Sequence, residues 1–244
     1  MRLHIITSPY YAANSLVIIP QPLEGTAPHA VVVDPSAGIL PQLKATLERE
    51  GAVLAAVLLT HGHPDHVWDC ARVASWGPAE KQVPVWIPGP DRYRLVDPAA
   101  YVNNMPARIE LDEWVCPDDL RDFPAGSCEL IPSLWMKMLP APGHTEGSAL
   151  FLAHSDLDVY ADGQLIASSE LPIPWALSGD VIFSGSVGRT DLPGGDETQM
   201  RHSLRTISHA VDPRTLLFPG HGPATTLQAE IDTNPYVTRA RRIG

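Results

Sequence analysis

The chain has 244 residues, 44% of them hydrophobic and 18% charged, with Lys plus Arg at 17 against Asp plus Glu at 28 and a formal net charge of -11. This is the composition of a globular, core-forming chain rather than a disordered one, and it is long enough to bury a substantial core. The acidic balance argues against non-specific binding to nucleic acid or acidic membranes, although bound divalent cations would reverse the potential locally and admit an anionic substrate.

Ser15-Leu16-Val17-Ile18-Ile19 and Ala30-Val31-Val32-Val33 are short β-rich runs. Ile39, Leu40, Leu43 and Leu47 recur at helical spacing, with Gly51 placed to cap the helix. An apolar strand over 52–59 leads into Thr60-His61-Gly62-His63-Pro64-Asp65-His66, after which Val67, Cys70, Ala71 and Ala74 give a short helix its inner face. Val83-Pro84-Val85-Trp86-Ile87 reads as a strand that its proline places at an edge. Residues 89–135 mix proline, charge and tryptophan and are expected to form an irregular insertion or lid with short helical pieces. Strand patterns resume at 135–139 and 149–152, and a hairpin is expected around Asp162-Gly163. Val181-Ile182-Phe183 reads as a strand, 197–211 as a helix, and Thr215-Leu216-Leu217-Phe218 as a final strand. The 25 prolines, roughly twice the usual share, predict many well-defined loops. No repeat and no flexible linker interrupts the chain, so one α/β domain over 1–244 with covered sheets is the economical solution.

The heptapeptide at 60–66 is the most informative stretch. His61 and His63 are two apart, so on an extended segment both imidazoles point to one side, and Pro64 then bends the chain toward a helix carrying Asp65 and His66. Mixed imidazole and carboxylate donors suit zinc and related cations. One cation could use His61 and His63 and a second Asp65 and His66. Three further candidates lie at or near the ends of apolar strands: His144 in Gly143-His144-Thr145-Glu146-Gly147-Ser148, Asp180 before Val181, and His221 in Pro219-Gly220-His221-Gly222.

With Asp34-Pro35, these ordered motifs resemble the metallo-β-lactamase superfamily over nearly the whole chain. The resemblance implies an αββα sandwich, in which two packed mixed β-sheets carry helices on both outer faces and the metals lie at one sheet edge. It implies that His61, His63 and His144 hold a first metal, that Asp65, His66 and His221 hold a second, and that Asp180 bridges them. Within the superfamily, Phe183-Ser184-Gly185-Ser186-Val187-Gly188-Arg189-Thr190-Asp191 and the His221 turn look most like short bacterial glyoxalase II-type (hydroxyacylglutathione) hydrolases. The same loop suggests an Arg189–Asp191 ion pair. Glyoxalase II enzymes continue into a C-terminal helical region that supplies much of their glutathione site, whereas here 23 residues follow His221, which leaves the acyl carrier open.

The implied chemistry is hydrolysis of small thioesters or esters by a hydroxide shared between two divalent metal ions, zinc first, with iron or manganese also compatible. Asp65 and Asp180 are the candidate catalytic carboxylates, Asp65 orienting the nucleophile and later carrying a proton. No G-x-S-x-G elbow and no G-x-G-x-x-G fingerprint is present, so neither a serine nucleophile nor a dinucleotide is indicated. The alternatives are a mononuclear-iron oxidoreductase of the persulfide dioxygenase kind, which also carries Gly-Arg-Thr-Asp, and a lactonase on the same fold. The partner expected is a small-molecule substrate, with no nucleic acid and no membrane; the oligomeric state is open. Asn14 and Tyr10 or Tyr11 are further candidates to reach the site. Cys70, Cys116 and Cys128 are odd in number and form no CxxC pair, and Met1-Arg2-Leu3-His4 opens no signal-peptide core; a cytoplasmic setting is expected.

Overall fold

The protein is described here by a computed structural model covering residues 1–78, 81–98 and 113–242. Its first half runs β1 (Arg2–Thr7), β2 (Asn14–Ile19), β3 (His29–Val33), α1 (Leu40–Glu50), β4 (Val53–Leu58), α2 (Pro64–Val67), α3 (Cys70–Ala74), β5 (Val85–Ile87), a 3₁₀ segment (Gly89–Leu95) and β6 (Leu120–Asp122). There follow β7 (Ser127–Ile131), β8 (Leu134–Pro140), β9 (Ala149–Ala161), β10 (Gln164–Gly179), α4 (Glu197–Ala210), β11 (Leu216–Pro219), β12 (Thr225–Thr226), α5 (Leu227–Thr233) and α6 (Pro235–Arg242).

Strand alternation sorts side chains into separate cores. In β2, Leu16 and Ile18 face one core while Val17 and Ile19 face another; in β3, Val31 and Val33 divide from Ala30 and Val32 in the same way. The shared inner core also takes Phe151 of β9, Trp175 and Leu177 of β10 and Phe218 of β11. The outer core of the first half is closed by Leu43 and Leu47 of α1 and Cys70 and Val73 of α3. The outer core of the second half joins Leu150, Ala176 and Leu217 to Met200, Leu204 and Ile207 of α4 and to Val237 and Ala240 of α6. Helix, sheet, sheet and helix therefore stack in four layers, as expected for the αββα sandwich. Each large inner residue such as Trp175 or Phe151, fully buried, contributes about 1.5–3 kcal/mol.

The two sheet layers are not separate. Twelve strands of the described residues form one hydrogen-bonded sheet, ten of them in the order β12-β11-β10-β9-β1-β2-β3-β4-β5-β6, with β8 also on β9 and β7 on β8. Strand β9 makes this possible by its length: Ala149–Leu152 pair with β8, whereas Asp158–Ala161 pair with β1. Its hairpin to β10 turns at Asp162 and Gly163, both at positive φ (49° and 75°), the conformation a two-residue type I′ turn requires.

Three sequence expectations need correction. Strand β5 is not an edge: it pairs with β4 and β6, and Pro84 lies just before its first residue. Val181-Ile182-Phe183 is no strand; Val181 and Ile182 are buried as a turn beyond β10, so Asp180 follows a strand rather than preceding one. Within 89–135, the described residues form a 3₁₀ segment and the short strands β6 and β7, while 99–112, where much of the expected lid falls, lie outside the described residues. No described helix is long and apolar enough to cross a membrane.

Candidate metal centre

Parallel pairing brings the candidate ligands to one edge. Strands β3 and β4 are parallel, so Asp34 and the heptapeptide leave the sheet side by side; β10 and β11 are parallel, so Asp180 and His221 do the same in the other layer. The turn between β8 and β9 supplies His144. Asn14 Nδ2 ties the two layers by donating to the carbonyls of Pro219 (3.1 Å) and Gly222 (2.8 Å), which frame His221.

All seven predicted residues converge. One nitrogen each from His61, His63 and His144 lie within 4.8 Å of one another, and so do donor atoms of Asp65, His66 and His221. Asp180 stands between the groups: its Oδ2 is 3.4 Å from Nε2 of both His144 and His221, and its Oδ1 is 3.4 Å from His66 Nε2. Cys70, near in sequence, is buried in the α3 core and its thiol is pushed up by burial.

Each of four imidazoles has its other nitrogen engaged by the protein. His61 Nδ1 donates to Thr60 Oγ1 (3.0 Å), whose own hydroxyl donates to Asp34 Oδ2 (2.6 Å). His66 Nδ1 donates to Asp34 Oδ2 (3.0 Å), His144 Nδ1 to the Arg189 carbonyl (2.7 Å) and His221 Nδ1 to the Tyr11 carbonyl (3.0 Å). These Nδ1–H assignments follow from the acceptors, and each turns its Nε2 toward the centre. Two glycines let the backbone come this close. A Cβ on Gly188 would meet the His144 ring and the Asp180 carbonyl, and one on Gly220 would meet Asp180 Oδ1 and the His66 ring.

The donor set fits divalent cations on the structure's own terms. His61 Nε2 and Asp180 Oδ1 are buried with no hydrogen-bond partner, an arrangement that costs on the order of 1–3 kcal/mol per group unless something binds them. His63 Nδ1 and His144 Nε2 stand 2.7 Å apart, which calls for a proton or a cation between them. A proton is disfavoured on His63, because burial and then the neighbouring His144 press its pKa to about 3. His61 is held well below its ordinary value by burial and by His66. In the other group burial also disfavours charge, but Asp65, Asp180 and Asp34 outweigh it at His66, raising it to about 9. At His221, hydrogen bonds and attraction from Asp180 and Asp65 overcome burial and raise it to about 11. Asp180 is correspondingly held well below the usual carboxylate range by His66, His221 and His144 against its burial. In the protein alone, protons on His66 and His221 thus stand where positive charge is demanded.

Beside the centre, Val187, Gly188 and Arg189 form one wall of a cleft of about 440 Å³ completed by Arg201 and Leu204 of α4 and Tyr236 and Arg239 of α6. The sequence did not flag Arg201 or Arg239; helical arginines without a motif read as solvated surface. The expected Arg189–Asp191 pair is present, with hydrogen bonds of 2.6 and 2.8 Å.

Residues 29–146 match a family described as a beta-lactamase superfamily domain. An uncharacterized protein of Mycobacterium leprae, ML0493, is 31% identical over 85% of this chain and 87% of its own length. The probable metallo-hydrolase YqgX of Bacillus subtilis is 30% identical over 78% of this chain and 79% of its own, and the hydroxyacylglutathione hydrolase GloC of Haemophilus influenzae 28% over 86% and 87%. Among solved structures, the BLEG-1 B3 metallo-beta-lactamase superposes with a TM-score of 0.71 at 28% identity, covering 97% of this chain and 99% of that one. TTHA1623 in a di-iron-bound form gives 0.68 at 28%, covering 95% and 98%. ETHE1 of Myxococcus xanthus gives 0.68 at 20%, covering 98% and 85%, a likeness of fold alone.

Proposed function

Because the chain belongs to the metallo-β-lactamase superfamily, we propose that it is a dinuclear metal-dependent hydrolase of small thioesters or esters that carry an anionic group. The observation that carries this reading is Asp180, whose two oxygens face both ligand groups at once. His61, His63 and His144 would hold one cation and Asp65, His66 and His221 the other, with Asp180 shared. Cations held there would acidify a bound water toward neutral pH and polarise a substrate carbonyl.

The chain's own residues set the remaining conditions. Asp34 and the carbonyls of Arg189 and Tyr11 fix which imidazole nitrogen each ligand offers. Asp65 is held ionised by His66 and His221 against its burial, so its carboxylate can accept a hydrogen bond from a water and orient it. Arg201 and Arg239 line the neighbouring cleft in a chain of net charge -11, which favours a substrate with a carboxylate or comparable anion at that end. GloC, a hydroxyacylglutathione hydrolase, supports thioesters as the first class to try; the di-iron form of TTHA1623 keeps iron beside zinc as the metal.

Elemental analysis of the purified protein, followed by a panel of thioesters, esters and lactones with and without a carboxylate, tests this. Two divalent ions per chain and chelator-sensitive hydrolysis of carboxylate-bearing thioesters are expected. One iron per chain with oxygen uptake on glutathione persulfide would overturn it.

A further inference from the structure

The segment that sequence reading left as irregular contains a buried acid that touches no candidate ligand and yet contacts the loops that carry three of them. Asp91 sits in the 3₁₀ segment Gly89–Leu95 with no solvent exposure. Its Oδ2 accepts from the backbone N–H of Gly62 (2.8 Å), the residue between His61 and His63, and from the Thr145 hydroxyl (2.7 Å), next to His144. Its Oδ1 accepts from the N–H of Gly147 (2.7 Å) and lies 3.4 Å from Arg94 Nε. Both glycines are required by this closeness: a Cβ on Gly147 would fall on the Asp91 carboxylate, and one on Gly62 on the Arg94 side chain. Arg94, equally buried, carries the tie onward through Nη2 to Glu146 (2.5 Å) and to the carbonyl of Pro193 (2.8 Å). Pro193 belongs to the loop whose Arg189 carbonyl orients His144.

We propose that Asp91 is a positioning residue for one half of the centre: it sets the spacing of the His61, His63 and His144 nitrogens by clamping the two loops that bear them. The inference rests on the two-cation reading above and adds a selectivity to it. No contact of Asp91 reaches Asp65, His66 or His221, whose orientation comes instead from Asp34 and the Tyr11 carbonyl. A carboxylate can accept all of these donors; an amide of the same shape must turn an NH₂ group toward at least one of them. Replacing Asp91 by Asn therefore keeps the volume and breaks the clamp, with a cost confined to one ligand group.

The test is zinc affinity in two backgrounds, measured by chelator competition on stripped protein. In His221→Ala, which leaves His61, His63 and His144 intact, adding Asp91→Asn is expected to weaken zinc binding about tenfold or more, within the range of orienting partners of metal ligands. In His63→Ala, which leaves the other group intact, the same change is expected to alter affinity less than about threefold. Thr145→Val removes one donor to Asp91 without adding charge, and is expected to give a smaller loss in the first background only; it also serves if Asp91→Asn folds poorly. Equal losses in both backgrounds would mean a general structural role and overturn the proposal, as would no loss in either. Zinc bound by the wild type with no selective effect of Asp91→Asn defeats this inference alone; no divalent metal bound by the wild type defeats the two-cation reading with it.

Discussion

The two ligand groups meet at Asp180 and differ in protonation. His61 and His63 are buried and held neutral, His63 down to about 3, whereas His66 and His221 are drawn up to about 9 and 11 by Asp65 and Asp180. The first group sets these two neutral imidazoles beside His144 on turns clamped by Asp91; in the second, His221 keeps 23% side-chain exposure. Neutral imidazoles are ready to receive a cation, while charged ones must first release protons.

The largest effect is expected from removing what the two groups share. Asp180→Ala deletes a carboxylate that faces both, and leaves His66 with Asp65 and Asp34 and His221 with Asp65. Hydrolysis is expected to fall about a thousandfold or more, the loss of several kcal/mol of charge stabilisation, with metal content reduced at both positions. Activity within tenfold of wild type at full metal content would show that the two groups do not work through Asp180.

The convergence of the ligands was legible in the sequence because each is a residue type that chemistry restricts, standing at a strand end among glycines and prolines. His61, His63, Asp65 and His66 are contiguous, and His144, Asp180 and His221 each follow an apolar run. The supports were less legible. Asp91 binds partners 29 and 56 residues away, through backbone N–H groups that every residue type but proline offers, so no local pattern marks it. Strand β6 is three residues long, two of them charged, and only its pairing with β5 makes it a strand. The run Val181-Ile182-Phe183 misled because apolar content was taken for extension; its burial against the α4 core serves a turn instead. Strand β10 extends through Ser168 and Ser169, polar residues that carry no strand signal and are held by pairing with Asp158 and Leu157 of β9.

Proton traffic sharpens the contrast next. In stripped protein, a histidine held below its ordinary 6.5 stabilises the fold above that pH and loses its contribution as pH falls, so His63 makes the fold acid-sensitive between about 6.5 and 3. His66 and His221, held above 6.5, contribute fully below it and lose the contribution as pH rises through about 9 and 11. Cation binding would displace protons from His66 and His221, whereas His61 and His63 are already held neutral. Titration of stripped protein with zinc near pH 7, in buffers of differing ionisation enthalpy, should register release of about two protons per chain, falling to about one in His221→Ala and staying near two in His63→Ala. Release that is lost in His63→Ala and kept in His221→Ala would invert the assignment.

The smallest effect is expected farthest from both groups, and it marks where the centre ends. In the cleft, Arg189 already gives both of its paired hydrogen bonds to Asp191, so its charge is largely answered there. Arg201 on α4 and Arg239 on α6 face the same cleft from different helices and touch no candidate metal ligand. Their work, if the substrate is anionic, is to hold its charged end equally in the ground and transition states, which changes KM and leaves kcat alone. Solvent reaches both side chains, so screening limits each to about 1 kcal/mol, or roughly fivefold. Arg201→Ala should therefore raise KM about three- to fivefold for a carboxylate-bearing thioester, change it less than twofold for the neutral analogue, and leave metal content and proton release untouched. Equal KM changes for the two substrates would remove charge recognition from the cleft, and a fall in kcat would draw Arg201 into the chemistry that the two ligand groups are held to contain between them.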